Sequence, residues 1–333
     1  MTFLGDEGRD VLVVKRMIVD HKWTLLGPTA SVGGFFMGPV YYYFMLPFLW
    51  VWNLSPVGPA VMVALFGIAT VYLVYLAGRR WFSKPVGLFA ASLYALSPIV
   101  IAFSRSSWNP NIVPFFALAS TYLLWKGILE RKTHFLFWVG LCAGIGVQLH
   151  YSYLFLMVAQ VVYIAVFFQT LKRIDKILCF LWIAGFILGF LPFLAFELRH
   201  EFANTRSILQ FVFMGKDTGF SVTRFFFNIQ DVFLRLFGRF IIRIPESGAL
   251  GNLPIVIRES WKIGQLLLAF SGIGALAAYG IRAVKKKRTA SIHTVLLFIL
   301  WFSVPLVFFG VYKKNIYDYY FCIMYPQIGR AHV

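Results

Sequence analysis

The amino-acid sequence predicts an all-α fold: a polytopic bundle of transmembrane helices, about eight in this chain, with amphipathic or interfacial helices outside the bilayer. Three observations predict it. Mean hydropathy is +0.76. Only 13% of residues are charged, against about 25% in a soluble domain. Apolar stretches reach bilayer-crossing length: Gly58–Ala77 (GPAVMVALFGIATVYLVYLA) holds no charged residue, and a helix of about 20 residues spans the hydrocarbon core of roughly 30 Å. The charges sit between such stretches, because one Asp, Lys or Arg at a helix centre costs about 2.5–3.5 kcal/mol on insertion.

Several classes of function fall away at this level. The formal charge of +18 could suggest nucleic acid, but a phosphate-reading fold needs its basic residues on one solvated face, and here they fall in loops. No nucleic-acid partner is expected. Cys142, Cys179 and Cys322 are scattered through apolar sequence, with neither zinc-ligand spacing nor a disulfide framework. No cleavable signal peptide is read.

In chain order, apolar runs bounded by charge or by Pro and Gly place spans at 59–77, 86–103, 112–127, 135–149, 153–169, 177–196, 263–281 and 294–311. Loop charge then orients them. Arg79, Arg80 and Lys84 form one basic loop and Lys126, Arg131 and Lys132 the next. Lys172, Arg173 and Lys176 follow, then Arg282 and Lys285 to Arg288. The alternating loops hold only Arg105, then none around Tyr151, then Lys313 and Lys314. Short cytoplasmic loops carry the Lys/Arg excess, so the basic set is expected in the cytoplasm. Residues 1–58 then form a first extracytoplasmic loop with interfacial helices, and 59–196 a transmembrane bundle. Residues 197–262 form a large extracytoplasmic loop, and 263–327 the closing helices. Val40–Trp52 could instead be a span, but it is short, contains Pro47 and is rich in Tyr and Trp, which favours an interfacial helix. An N-terminus on the outer face implies that a first transmembrane helix precedes Met1. Residues 328–333 (IGRAHV) read as a non-native tail.

Within the spans, Gly140 and Gly144 are spaced for close helix packing. In the large loop, Arg235, Arg239 and Arg243 recur every four residues opposite Phe233, Leu236, Phe237, Phe240 and Ile241. That pattern is an amphipathic helix on the membrane surface, or one covering a lipid-substrate site.

Chemistry is sought on the outer face, where charge is not needed for orientation. Gly5-Asp6-Glu7-Gly8-Arg9-Asp10 opens an apolar-periodic stretch. Acids there suit a helix N-terminus, and a carboxylate at the membrane surface also suits a general base. Gly27-Pro28, Gly33-Gly34, Gly38-Pro39 and Tyr41-Tyr42-Tyr43 follow. This order resembles the first outer loop of GT-C glycosyltransferases of the family 39 type, which include protein mannosyltransferases and the enzyme that places aminoarabinose on lipid A.

The resemblance implies a GT-C-like fold and a hexosyl- or pentosyl-transferase. Its sugar donor would be carried on a polyprenyl phosphate in the cell membrane, and its acceptor would be a glycan, lipid or protein on the extracytoplasmic face. It makes Asp6 the general base, with Glu7 beside it, and Arg9 a phosphate ligand. Arg105, His150, Lys313 and Lys314 fall on the same face and are further candidates for the lipid phosphate. The family's acid and Lys before the loop proline are replaced here by Met37 and Gly38. No metal site or cofactor is therefore assigned, and a divalent metal is left open. A polysaccharide polymerase or ligase, or a transporter or flippase, would share this topology. Spans with almost no internal charge speak against ion-coupled transport.

Overall fold

The computed structural model describes residues 5–30, 33–132, 134–167, 176–214, 219–241 and 254–326. Among these residues there is no β-strand, only a bridge between Thr29 and Phe36. The helices are α1 (Gly5–Val19), α2 (Val40–Val51), α3 (Val57–Trp81), α4 (Lys84–Leu96), α5 (Pro98–Phe103) and α6 (Val113–Leu129). There follow α7 (Phe135–Leu149), α8 (Tyr153–Phe167), α9 (Lys176–Arg199), α10 (Ala203–Met214) and α11 (Val222–Ile241). The described chain closes with α12 (Ile255–Lys285) and α13 (Thr289–Gly310). The expected all-helical membrane bundle is what the chain forms.

Among the described residues each expected span coincides with helix, and the differences are of length; residues 168 and 169 of the expected span 153–169 lie outside the described residues. Val57–Trp81, Asn109–Leu129, Phe180–Arg199, Ile255–Lys285 and Thr289–Gly310 are long and apolar enough to cross a membrane. The expected span 86–103 is two helices. Ser97 is extended (φ −63°, ψ 123°) and Pro98 opens α5, because a proline pushes the residue before it out of the helical region. The helices α7 and α8 have 15 residues each, a rise of about 22 Å. The helix α12 starts at Ile255, ahead of the expected 263, since a helix can carry Arg258, Glu259 and Lys262 on its early turns where an apolar-run criterion stops. The basic residues Lys172 and Arg173 and the tail 328–333 lie outside the described residues.

Packing explains why the short helices sit inside. The Gly140–Gly144 spacing meets a matching pair, Gly185 and Gly189 of α9. A Cβ on Gly140 would overlap the Trp182 carbonyl, and one on Gly185 would overlap that of Phe137. Backbone-to-backbone contact of this kind drives association where no hydrophobic gain is available between lipid and protein. The helix α2 pairs with α3 as an antiparallel hairpin: Phe44 meets Phe66, and Gly58 lies against the Phe48 carbonyl. Its Tyr41, Met45 and Leu49 are wholly buried while Trp50 and Val51 are exposed, so one face is packed into the protein. Against the end of α2 that starts the hairpin lies α1, through buried Val14 and Met17.

The bundle has two chemically different ends. At one, Arg80 pairs with Glu130, Trp125 bonds Thr294, and the Tyr279 hydroxyl donates to the Trp81 carbonyl; this basic end collects Arg79–Lys84, Lys126–Lys132 and Arg282–Arg288. At the other, residues 20–30, 33–39, 104–112, 148–152 and 309–321 converge with α1, α10 and α11. The expected amphipathic helix is α11. Its Val232, Leu236 and Phe237 are buried, with Phe237 against Phe302 of α13. The side chain of Arg239, and Arg243 altogether, lie outside the described residues.

Candidate active site

At the second end, the loop after α1 is folded back by its own backbone. Gly27 N–H donates to Met37 O at 2.9 Å and Met37 N–H returns a bond to Pro28 O at 2.8 Å. Within this loop Gly33 and Gly34 lie at φ +77° and +67°, values that residues with a Cβ rarely adopt. The Gly38 N–H then reaches Gln148 O at 3.2 Å, and the Tyr151 hydroxyl donates to Phe36 O. Asn204 of α10 closes the fold from outside, accepting from Phe36 N–H at 2.7 Å. The Gly- and Pro-rich loop is thereby pinned across the ends of α7 and α10.

Beneath it lies a cavity of about 470 Å³. One wall is α1, through Asp6 and Arg9, and the loop, through Met37. A second is Trp108, Asn109 and Pro110 with His150, Tyr151 and Ser152. The rest is apolar: Leu154 and Phe155 of α8, Phe211 and Val212 of α10, and Phe308 and Phe309 of α13. Tyr312, Tyr319 and Tyr320 complete it from the segment after α13. Among the described lining residues Arg9 is the only Lys or Arg.

The charges on α1 are arranged in a line. Arg9 Nη1 bonds Asp6 Oδ1 at 3.1 Å and Arg9 Nε bonds Asp10 Oδ1 at 3.0 Å. Asp6 is 56% exposed while Asp10 is fully buried. Tyr42 donates its hydroxyl to Asp10 at 3.0 Å. Burial raises the Asp10 carboxyl to about 6, outweighing the opposing pull of Arg9 and the Tyr42 bond. The helical spacing (i, i+3, i+4) puts Asp6, Arg9 and Asp10 on one face. Glu7 turns the other way: it is buried, accepts a bond from Ser106 Oγ at 2.5 Å, and does not line the cavity.

Of the other sequence candidates, His150 is in the cavity wall, 8% exposed, and burial lowers its ring to about 4, so it is neutral near pH 7. Its partner is Ser152, whose Oγ lies 2.7 Å from Nδ1. Lys313 is half-buried, its ammonium against Gly219, itself a lining residue. Lys314 and Arg105 are exposed at the same end and do not line the cavity. The geometry thus brings together Asp6, Arg9 and His150 and leaves Lys313 at the rim.

Residues that sequence reasoning passed over complete the wall. Asn109 donates to Leu149 O at 2.6 Å, fixing the end of α7. Trp108 packs edge-on to Tyr319, centroids 4.4 Å apart. Asp10 was visible as the third acid of the opening motif, four residues from Asp6, but only tertiary packing reveals that it is the buried one. Arg235 of α11 bonds Asp231 at 2.6 Å and Asp318 at 3.1 Å, and lies over the Phe321 ring. Asn228 donates to Tyr312 O at 2.6 Å. The amphipathic helix thereby braces the segment that supplies Tyr319 and Tyr320. Among the described residues no cluster of His, Cys, Asp and Glu could hold a metal ion.

The fold of this chain, a helical membrane bundle, is shared with solved structures. The chain superposes on ArnT from Cupriavidus metallidurans bound to undecaprenyl phosphate with a TM-score of 0.64, at 14% identity, covering 99% of this chain and 55% of that one. The oligosaccharyltransferase of Archaeoglobus fulgidus gives 0.55, at 14% identity over 98% and 46%. Residues 37–196 match the family model for dolichyl-phosphate-mannose-protein mannosyltransferase. A putative mannosyltransferase of Bacillus subtilis (strain 168), YkcB, is 29% identical over 112 residues, 33% of this chain and 16% of that protein. The chain spans about half the length of the solved structures it matches. Asp6, Glu7 and Arg9 precede the segment that the family model covers.

Proposed function

We propose that this protein transfers a sugar from a polyprenyl-phosphate donor to an acceptor at the extracytoplasmic face of the cell membrane, with Asp6 as general base. The observation that carries the reading is the composition of one cavity: a continuous apolar wall from α8, α10 and α13 beside an Asp6–Arg9 pair. A prenyl chain suits the apolar wall, and a phosphate suits Arg9. The bound undecaprenyl phosphate in the ArnT structure supports the same class of ligand.

The chemistry follows. An acceptor oxygen attacks the anomeric carbon while the bond from that carbon to the phosphate oxygen breaks. The acceptor proton passes to Asp6, and the polyprenyl phosphate leaves carrying the negative charge. Arg9 stabilises that charge as it accumulates. Asp6 is suited to accept the proton because it is accessible, whereas Asp10 is sealed and serves to hold Arg9. Lys313 at the rim and Arg105 and Lys314 nearby add positive potential over the mouth. Arg235, on which a polymerase or ligase reading would lean, is engaged by Asp231 and Asp318.

Release of undecaprenyl phosphate tests this without knowledge of the acceptor. Proteoliposomes holding the chain are supplied with undecaprenyl-phosphate-linked hexoses and pentoses and a mixture of glycan, lipid and protein acceptors. Asp6→Asn is expected to lower release by about 10²–10⁴-fold, the usual contribution of a general base, while the protein still binds undecaprenyl phosphate. Release at the unaltered rate in Asp6→Asn defeats the assignment.

A further inference from the structure

We propose that His150 acts in the cavity as a neutral hydrogen-bond donor, presenting Nε2–H to a phosphate oxygen of the lipid donor, and that Ser152 positions it by occupying Nδ1. The proposal rests on the lipid-donor reading and gives His150 a role different in kind from that of a cation.

The hydrogen-bond pattern fixes the tautomer. The Ser152 backbone N–H donates to His150 Nδ1 at 3.2 Å. A ring nitrogen that accepts a backbone N–H carries no proton, so the ring proton is on Nε2. The Ser152 hydroxyl, 2.7 Å from the same nitrogen, must then donate as well. Two donors from one residue converge on Nδ1, and protonating the ring would break both bonds.

Nε2 is the open side. It meets no partner among the described residues, yet it is not sealed off as Asp10 Oδ2 and Gln148 Oε1 are. His150 lines the cavity, so that is where the free donor looks. The ring is clamped: Tyr319 stands edge-on to it, centroids 5.8 Å apart, and Tyr320 lies tilted at 5.6 Å. A clamped, unpaired donor in a largely apolar cavity is already oriented before ligand arrives. The ionisable groups sharing the cavity are Asp6, Arg9, Tyr151, Tyr312, Tyr319 and Tyr320. Of these, only Arg9 brings positive charge, so the two phosphate contacts divide the work: Arg9 supplies charge and His150 supplies direction.

The test titrates the purified full chain in nanodiscs with undecaprenyl phosphate, following tryptophan fluorescence, since Trp108 lines the cavity. His150→Ala should weaken binding about tenfold, the size of a lost hydrogen bond to a charged group. His150→Gln, whose amide N–H can stand where Nε2–H stood, should stay within about threefold of the original. Ser152→Ala should weaken binding several-fold and Ser152→Thr should restore it. In ¹⁵N-histidine spectra, wild type, Ser152→Ala and Ser152→Thr should all keep the Nε2–H tautomer, because the backbone N–H of residue 152 still donates to Nδ1, while Ser152→Ala should shift the Nδ1 resonance that wild type and Ser152→Thr share. If His150→Gln binds as poorly as His150→Ala, and wild-type affinity falls as pH rises from 5.5 to 7.5, His150 is a cation and the proposal is overturned. Binding that ignores all four substitutions overturns it while leaving the lipid-donor reading intact. No binding of undecaprenyl phosphate by the wild type defeats that reading and this one together.

Discussion

The two ends of the bundle treat charge in opposite ways. At the basic end, ion pairs stay in water: Arg80 is 56% exposed and Lys132 51%, both against Glu130. At the other end, charge is drawn into protein. Asp10 is fully buried beside Arg9, and Arg235 is 18% exposed between Asp231 and Asp318. Exposed pairs add little to stability and are screened by salt. Partly buried pairs carry a desolvation cost that only good geometry offsets, and removing one partner strands the other. The basic end therefore needs its charges for their sign and number, whereas the cavity end depends on where each one sits. That contrast suits the proposed transferase, in which one end would set orientation and the other would hold substrate.

The largest structural effect should come from Arg235. Arg235→Met removes the guanidinium that faces Asp318 and Asp231 and loosens the segment that carries Tyr319 and Tyr320. The loss should be about 1–3 kcal/mol, discounted from the cost of breaking a fully buried pair because these groups keep some solvent. Thermal unfolding in detergent, followed by intrinsic fluorescence, should show a lower midpoint. Adding Asp318→Asn should recover part of the loss, because one of the two carboxylate charges that faced Arg235 is gone. A midpoint unchanged in Arg235→Met would mean that α11 is no brace and that the two ends do not differ in kind.

The next effect is a pH dependence. Burial raises the Asp10 carboxyl in the folded protein to about 6, above the ordinary carboxylate value. An acid whose folded value is raised prefers to be protonated in the folded state. Its penalty is therefore absent below the unfolded value and grows as pH rises towards about 6, beyond which it is constant. Wild type should gain stability relative to Asp10→Asn as pH is lowered from 7 to 5, in paired thermal-shift series. Parallel curves would show that Asp10 is solvated, and that Arg9 is not held from behind.

How much of this was legible beforehand differs by level. The helices were, because a charge-free run of bilayer length has few other destinations; α7 covers the expected residues 135–149. The break at Ser97–Pro98 was legible in principle, since Pro98 cannot continue a helix without loss, but the apolar run around it hid the signal. The Gly140–Gly144 face announced close packing without saying against what, because its partners Gly185 and Gly189 lie a whole helix away. Of the residues named from the sequence, Asp6, Arg9 and His150 line one cavity. Glu7 shares their motif but faces Ser106, since adjacent residues on a helix point about 100° apart. Asp10, Ser106, Ser152 and Arg235 owe their roles to contacts between distant segments, which periodicity does not encode.

The smallest effect sharpens the comparison most, because it is a near-absence with a stated bound. Glu130 accepts from Arg80 at 2.9 Å and has Lys132 at 3.5 Å, so by distance it looks as well paired as Asp318. Its partners are more than half exposed, and water and salt already compete for them. Glu130→Gln should therefore cost no more than about 1 kcal/mol at low salt, and less still at physiological ionic strength. Removing it raises net positive charge at this end, so membrane orientation, read by accessibility of a single introduced cysteine, should be preserved. A midpoint shift as large as that of Arg235→Met, persisting in salt, would show that the basic end holds its charges by position too, and the distinction between the ends would fail.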